Sequence, residues 1–526
     1  MRRILTSIIL AAAVPVLIQA QTSVKALYSK ENLTWQSPWL EGVNMASHTL
    51  NGFFLTDTVS ALSTAALKAD MSTGEMKSIF APETELTGTA GIRSYMRIHR
   101  TYLYGDFSYT YGYGRNSRWR GLIDPYRTPF MMADSIPGNI SRETYAMTAG
   151  AALATGRHTS LGIRATYEAS LMSKHKDLRN KNTYMNFEII PGIMFHTGKF
   201  RLGLDAGYRR TTEEVEYMQV DESTEKYLFE LYGLWLYRSL GYNSADHSRM
   251  LINSAFHGDL TLELLSGNFR LFNNFTAEYD YGTQDETGYN NLKYGDTRTL
   301  TYSDRLILNW GPGHRVQAEV TFSRILGYKF LQRQEYDPDS GVRVWVTYGN
   351  PINSYKGDYS HLDLNYTYRH ATDFLHADWE ITAGASHMTF GRTVKEHPIY
   401  LSQEIRAITP YLQGAWHWRS PRHQLDISPE IAYSKTYRGI PDEIANESGM
   451  DISTGDTPLQ LEGPLMEEYR FLAADRLCVG AGLRYGWCVS PTKGSVLSIE
   501  LNYGMETALS SGENRHHTSL SIGFTF

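Results

Sequence analysis

The sequence has little of what a disulfide-rich, helical or nucleic-acid-binding protein needs. Two cysteines in 526 residues exclude a disulfide scaffold. A net charge of −6 gives no electrostatic reason to expect a nucleic-acid partner. Beyond the N-terminus there is no run of about 18 apolar residues, and the mean hydropathy is −0.38, so a helical protein with several membrane spans is excluded. Tyrosine (36) and glycine (44) are abundant instead.

Signatures of catalysis and of metal or cofactor binding are also missing. The sequence contains no Gly-x-Ser-x-Gly, His-Glu-x-x-His or Cys-x-x-Cys motif and no phosphate-binding loop. His417 and the pair His516-His517 are isolated, which favours surface histidines over metal ligands. We therefore predict no catalytic, metal-binding or cofactor-binding residues, no cofactor and no enzymatic activity.

The N-terminus resembles a secretory signal. Met1-Arg2-Arg3 is positively charged, residues 4–18 are apolar, and Ala20 precedes Gln21 in a small-residue cleavage site. A spanning helix is disfavoured because the apolar stretch is short and contains Pro15. We expect residues 1–20 to be a signal peptide that is cleaved after Ala20, and the mature protein to be exported.

Strict period-two alternation follows along the chain. Between Ser160 and Met172, apolar side chains such as Leu161 and Ile163 alternate with polar ones such as Arg164 and Glu168. The same pattern returns in segments throughout the chain, over about ten residues each, which is long enough to cross a bilayer. A soluble β-sandwich also alternates, but its strands are about half as long, and no linker divides this chain into separate cores.

The pattern predicts an all-β fold, a single transmembrane antiparallel β-barrel of about 16–18 strands. Compact turns such as Thr197-Gly198-Lys199 alternate with four long connections, at 115–141, 213–249, 331–355 and 440–463. Short periplasmic turns and long extracellular loops are typical of the bacterial outer membrane. We therefore expect a barrel over residues 57–526 in the cell outer membrane, surrounded by outer-membrane lipid.

The terminal strand carries an assembly signature. Leu520, Ile522, Phe524 and Phe526 share one face, and the C-terminal Phe526 resembles the signal by which outer-membrane barrels are recognised for assembly. That resemblance implies the barrel-assembly machinery as a partner, with Phe526 as the assembly signal.

Charged residues on the polar faces are candidates for the lumen. They could pair across neighbouring strands and stiffen the wall, or they could form a polar pathway. The main candidates are Arg164, Glu168, Arg201, Asp205, Arg209, Asp363, Arg369, Asp378, Glu380 and Glu500.

Two segments could fill the lumen. Residues 21–56 contain Trp35 and Trp39 without strand alternation, and we expect this segment to lie in the lumen or at the periplasmic mouth. The loop 222–240 is too apolar to face water freely. It folds inward as a constriction, packs on other loops, rests on the outer leaflet or contacts a partner. The loop or partner candidates are Phe229, Tyr232, Trp235 and Tyr237.

Cys478 and Cys488 are ten residues apart. If residues 467–489 form one strand, the two cysteines lie about 33 Å apart and cannot bond. If Gly482-Leu483-Arg484 is a turn, they could form a disulfide in the oxidising periplasm. We favour two unpaired thiols.

Taken whole, the chain resembles the large outer-membrane barrels of Bacteroidota whose members are often classed as domains of unknown function. The likeness rests on Ala20-Gln21, on the segment Ser37-Pro38-Trp39-Leu40-Glu41-Gly42-Val43-Asn44 and on tyrosine- and glycine-rich hairpins that finish in Phe526. Residues 42–46 are also similar to the small-residue motif before the barrel of long-chain fatty-acid transporters, although the charged lumen suits a fatty-acid tunnel poorly. TonB-dependent receptors fit less well, because about 65 mature residues before Leu86 are too few for their plug domain and a first strand.

Three functions remain open. The leading hypothesis is passage or capture of a solute through a gated polar lumen, with the N-terminal segment and the long loops as the gate. The first alternative is a non-conducting barrel that serves as a membrane anchor or assembly partner for a surface protein, a lipoprotein or another outer-membrane protein. The second is an outer-membrane enzyme that acts on lipid or protein at the surface.

Overall fold

The computed structural model describes residues 61–221, 223–224, 226–242, 247–286, 292–339, 341–371, 377–396, 399–438, 459–490 and 495–526. The predicted signal peptide and the segment 21–56 lie outside these residues. The described elements are, in chain order, β1 (Ala61–Gly74), β2 (Thr84–Ile98), β3 (Thr101–Ser117), β4 (Phe130–Ala133), β5 (Gly138–Ala154), β6 (Thr159–Lys174), β7 (Arg179–His196), β8 (Phe200–Met218), β9 (Lys226–Tyr232), β10 (Leu236–Tyr242), β11 (His247–Ser266), β12 (Phe269–Glu286), β13 (Lys293–Trp310), β14 (His314–Lys329), β15 (Gln332–Asp337), β16 (Val342–Thr347), β17 (Ile352–Ala371), β18 (Ala377–Glu396), β19 (Ile399–Arg419), β20 (His423–Arg438), β21 (Leu459–Gln460), α1 (Glu462–Leu472), β22 (Arg476–Ser490), β23 (Ser495–Ala508) and β24 (Asn514–Thr525).

Eighteen of these strands form one closed antiparallel sheet. Each wall strand pairs with the wall strand that follows it in the chain, and β1 pairs with both β2 and β24, so that no edge is left open. Closure is in register, with Leu67 opposite Ile522 and with Ser63 and Phe526 exchanging two backbone hydrogen bonds. The prediction of a single antiparallel β-barrel is confirmed, and the strand count falls at the upper end of the expected range.

The two faces of the wall have opposite chemistry. On β11, Phe256 is 60% exposed on the outer face, whereas Glu263 on the lumen face is fully buried. Leu161 and Ile163 likewise point outward from β6. A water-soluble protein has an apolar interior and a polar surface. An apolar outer band around a charged interior is the reverse of that distribution, and it is the arrangement of a barrel that spans the outer membrane. In the part of the chain that the structure describes, no helix is both long and apolar enough to cross a membrane.

Connections at the two ends of the barrel differ in length, as predicted. The end that holds Phe526 has turns of a few residues, such as 155–158, 197–199 and 311–313. The opposite end carries the connections 118–137, 219–246, 330–351 and 439–475. We refer to it as the long-loop end.

The region before Val489 combines a helix with a strand. Residues 462–472 form α1, with Pro464 in its first turn, where a missing N–H costs no helical hydrogen bond. β22 then runs unbroken from Arg476 to Ser490, and both cysteines on it are free. Both cysteines thus lie on one strand with free thiols, as favoured, but the strand begins at Arg476 and not at residue 467, because residues 467–472 belong to the helix, which was not predicted.

Loop segments at the long-loop end fold into a second, smaller sheet. Its strand order is β21, β10, β9, β4, and it therefore joins three different connections. Together with residues 118–137 and α1, we call this sheet the plug. Its apolar side chains, among them Phe130, Leu228, Leu234 and Trp235, form the largest buried cluster with lumen-facing wall residues such as Leu251 and Val394. The plug therefore lies inside the mouth of the barrel.

Candidate functional site

The apolar loop that the sequence singled out is the centre of the plug. Trp235 is 4% exposed and Tyr232 6% exposed. Phe229 packs with its ring centroid 5.1 Å from that of Trp119 and 5.3 Å from that of Tyr237. Of the outcomes left open for this loop, the structure shows an inward constriction that also packs on other loops. Because these side chains are used within the protein, they do not form a free apolar surface.

A buried ion pair connects α1 to the wall. The guanidinium of Arg392 on β18 donates two hydrogen bonds to the Glu468 carboxylate, at 3.1 and 2.9 Å. The indole Nε1 of Trp235 donates a third hydrogen bond to Glu468, at 2.9 Å. Glu468 therefore joins three parts of the molecule: α1, the turn between β9 and β10, and the barrel wall.

Other charged contacts tie the remaining plug segments to other wall strands. Arg249 on β11 donates to Glu230 on β9 at 2.9 Å, and Lys174 at the end of β6 donates to Asp134 at 2.5 Å. The backbone N–H of Ile123 donates to Glu213 on β8 at 2.8 Å. All of these charged side chains are buried. Because unpaired buried charges are very unfavourable, these pairs fix both the position and the orientation of the plug.

Beneath the plug lies a chamber of about 780 Å³. Its apolar side is formed by Phe80 from the β1–β2 connection and by plug and wall residues that include Leu231, Trp235, Tyr355 and Phe390. Its polar side combines Asp124 and Arg127 of the plug with wall residues that include Arg142, Glu168, Arg209, Glu278, Asp280 and Asp358. Tyr126 also lines the chamber, and partial desolvation raises the pKa of its phenol.

Some predicted lumen residues meet at the chamber. Glu168 on β6 lies 3.6 Å from Arg142 on the neighbouring strand β5. Arg209 lies 2.5 Å from Glu278 and 3.6 Å from Asp280. Arg164 lies on the same face of β6 as Glu168. The chamber wall therefore combines cross-strand pairing with a polar surface, the two roles that the sequence left open.

Other predicted lumen residues lie elsewhere. Arg369, Glu380 and Glu500 line a second cavity of about 460 Å³, in which Arg369 and Glu380 approach to 3.5 Å. The remaining candidates line neither cavity. Arg201 pairs with Glu263 at 2.7 Å, Asp205 is buried in the wall, and Asp363 accepts hydrogen bonds from Tyr411 at 3.0 Å. Asp378, near the start of β18, is 71% exposed beside His370.

An enzyme would need a cluster of metal ligands or a catalytic triad. Within the described residues, no group of three or more His, Cys, Asp or Glu side chains could hold a metal ion. Ser72 and His517 share a hydrogen bond of 2.6 Å. No carboxylate within hydrogen-bond distance of His517 occurs in the described part of the chain, so that a Ser-His-acid triad is not formed there.

The residues that hold the plug were missed by the sequence analysis. Arg392 and Lys174 lie near the ends of wall strands, Glu230 lies on the short strand β9, Asp134 follows β4 and Glu468 lies on α1. Strand ends, very short strands and a helix show no period-two alternation that would mark their buried faces. Their only signal was the apolar character of residues 222–240, which indicated burial but not the charged partners.

Comparison with known proteins identifies the family. The model of a family of unknown function, DUF6850, matches residues 52–526, and the chain belongs to this family. The resemblance to uncharacterised outer-membrane barrels is thereby confirmed. Among the curated proteins, none matches the chain.

Several solved structures are distantly similar to this chain. The ferric preacinetobactin receptor BauA of Acinetobacter baumannii is 9% identical, with 88% of this chain and 80% of that chain covered and a TM-score of 0.39. The outer membrane transporter YddB of Escherichia coli is 8% identical, with 88% and 81% covered and a TM-score of 0.38. The RagAB peptide importer in its closed-closed state is 7% identical, with 85% and 72% covered and a TM-score of 0.41. Likenesses at this level add nothing to the barrel fold already described.

Proposed function

We propose that this DUF6850 protein is an outer-membrane barrel through which a solute is captured or passed, with the plug as its gate. The observation that carries the proposal is the position of the plug, which separates the long-loop end from a chamber with polar walls. A lumen that served only as scaffolding would need neither a chamber of about 780 Å³ nor a separate constriction above it.

The way in which the plug is held supports a gate. Buried ion pairs give less stability than well-packed apolar side chains of the same volume, because both charges must lose their water. The contacts Arg392–Glu468, Arg249–Glu230 and Lys174–Asp134 nevertheless occupy the interface between plug and wall. Such pairs give one defined closed arrangement, and they can be rehydrated if the plug moves.

The N-terminal segment 21–56 remains a second candidate for the gate. It lies outside the described residues, and the prediction that it occupies the lumen or the periplasmic mouth stays a prediction. In the proposal it acts together with the plug, from the periplasmic end.

Planar-bilayer conductance tests the proposal. The purified wild-type barrel should be closed or nearly closed. Glu468→Gln, deletion of residues 21–56, or the two changes combined should produce openings, because each removes part of the gate. If all three variants migrate as folded barrels and all remain closed, passage through the lumen is refuted.

A non-conducting anchor is the second candidate, and one observation favours it. The hairpin of β15 and β16 stands apart from the wall sheet and exposes Tyr336 (66%). Exposed aromatic side chains on a hairpin with free edges suit a protein partner. Deleting residues 332–347 should then abolish co-purification of a stoichiometric partner from native membranes, whereas a solute pathway predicts no such partner.

A further inference from the structure

A further pocket, distinct from the two cavities described above, opens at the long-loop end, on the other side of β9 from the chamber. It has a volume of about 900 Å³ and is lined by the ends of wall strands, by β9 and by the β15–β16 hairpin. We call it the outer cup. Glu230 and Tyr232 line the outer cup, whereas Leu231 and Gly233 line the chamber. Because neighbouring residues on a strand point to opposite faces, β9 is the partition between the two spaces.

The outer cup is rich in aromatic faces. Five aromatic residues line it: Tyr232, Tyr294, Phe330, Trp345 and Tyr400. They come from the plug, from three wall strands or their ends, and from the hairpin. Planar rings from several directions suit a ligand that itself has ring faces, whether these are aromatic or the apolar faces of a sugar.

The charge of the outer cup favours an anion. Three lysines line it, Lys293, Lys329 and Lys395, together with two carboxylates. Both carboxylates have cationic partners: Glu230 is 2.9 Å from Arg249, and Glu396 is 2.8 Å from Lys329. Lys293 and Lys395 are exposed. Their ammonium groups lie 5.5 Å from the ring centroid of Phe330 and 5.8 Å from that of Tyr400, and neither is paired with a carboxylate in the described part of the chain. Such loosely held cations can turn towards a negatively charged ligand.

One buried polar group in the lining of the outer cup, the hydroxyl of Ser354, could orient such a ligand. Ser354 is the extra residue of a β-bulge, where Tyr328 pairs with Asn353 and Gly327 with Tyr355. Its side chain is buried and lines the outer cup, and its hydroxyl has no hydrogen-bond partner among the described residues. A buried hydroxyl without a partner is unfavourable unless a ligand or water satisfies it.

We propose that the outer cup binds an organic anion with planar ring faces, as the capture site for the solute. This inference deepens the proposed function and rests on it. The bound solute would also contact the gate: Tyr232 forms part of the partition, and the Lys329 ammonium lies 3.4 Å from the centroid of its ring. An anion that draws Lys329 away from the ring of Tyr232 would therefore loosen a contact between plug and wall.

Titration calorimetry of the full chain in phosphatidylcholine nanodiscs tests the site. Three probes are used: 2-naphthalenesulfonate, the cation 2-naphthylmethylammonium and trigalacturonate. At least one of the two anions should show saturable binding at least tenfold tighter than that of the cation. Saturation by the sulfonate alone indicates that the ligand is an aromatic anion. Saturation by trigalacturonate alone indicates an acidic saccharide. Saturation by both indicates a site that binds any anion with planar ring faces.

Variants assign the binding to the outer cup. Lys293→Gln and Lys395→Gln should each weaken binding of the anion about fivefold, since each removes one charge-assisted contact at a partly exposed site. Trp345→Ala should weaken it by a similar factor. The matched control is Lys181→Gln, because Lys181 is also exposed near the long-loop end and does not line the outer cup. Each variant must retain the gel migration of a folded barrel.

The inference is overturned if neither anion binds, if the anion and the cation bind equally, or if the outer-cup variants bind like the wild type. Calorimetry requires no conduction, so its result is independent of the bilayer experiment. A barrel that binds an anion but never conducts would refute passage and leave capture intact.

Discussion

Arg392 and Glu468 are 76 positions apart in the chain, and their side chains meet in a two-bond ion pair that is almost completely buried between the barrel wall and α1. Trp235 donates to the same carboxylate. A single side chain thus couples the helix, the β9–β10 hairpin and the wall. The stability of the plug should depend on this carboxylate more than on any surface ion pair of the described barrel.

Glu468→Gln should destabilise the plug while the barrel stays folded. The substitution keeps the size of the side chain but leaves the buried charge of Arg392 unpaired, which costs about 3–5 kcal/mol. Amide hydrogen exchange in residues 226–237 and 462–472 should become faster, whereas exchange in the wall strands should not change. Glu216→Gln, which removes an exposed pair with Lys181, is the control and should leave plug exchange as in the wild type. Unchanged exchange in α1 would contradict the role assigned to Glu468.

Asp134→Asn should have a non-local effect. Asp134 follows β4 and pairs with Lys174 of the wall, and β4 is hydrogen-bonded to β9 within the plug sheet. If the plug opens as one cooperative unit, loss of this contact should also raise hydrogen exchange in α1, which Asp134 does not touch. The measurement is exchange in residues 462–472, with Lys181→Gln as the control. Faster exchange that is limited to residues 130–137 would mean that the plug segments open independently.

The barrel was predictable because its signal repeats. All eighteen wall strands have an apolar outer face and a polar lumen face. A mistaken assignment of one strand therefore does not change the prediction of a barrel. Arg201 on β8 pairs with Glu263 directly opposite on β11. Turn length then distinguished the two ends, because hairpin turns and long loops have different compositions.

The plug was not predictable in the same way. Its strands β4 and β21 are four and two residues long, too short for any period to appear. Its decisive contacts join loops that are far apart in the chain, as Trp235 and Glu468 do, and no local pattern encodes such a pair. The apolar composition of residues 222–240 predicted that this loop would avoid water. Its position in the mouth depends on which wall residues face it.

Gly207→Ala should destabilise the barrel wall, and Gly258→Ala should not. A Cβ on Gly207 would overlap the imidazole of His257, which is held between Asp259 at 3.0 Å and Glu188 at 3.4 Å. A Cβ on Gly258, on the neighbouring strand, meets only a backbone oxygen at 3.8 Å. Overpacking of this kind costs about 1–3 kcal/mol.

The measurement for this pair is the urea midpoint of the gel-mobility shift between folded and unfolded barrel. The midpoint should fall for Gly207→Ala and stay close to that of the wild type for Gly258→Ala. Equal midpoints for the two variants would show that the His257 ring can move aside, and that the two carboxylates do not hold it in place.

Cys478 and Cys488 should both titrate as free thiols in protein that has never been reduced. Both lie on the lumen face of β22, and ten residues of one strand separate them by about 33 Å, whereas a disulfide needs Cα atoms within about 7 Å. Thiol titration of the urea-unfolded protein should give two thiols, and Cys478→Ser should give one. Reductant should leave the urea midpoint of the folded barrel unchanged. A count of zero before reduction in protein that migrates as a monomer on a non-reducing gel would require residues 478–488 to fold back as a hairpin, and would therefore refute β22 as a single wall strand.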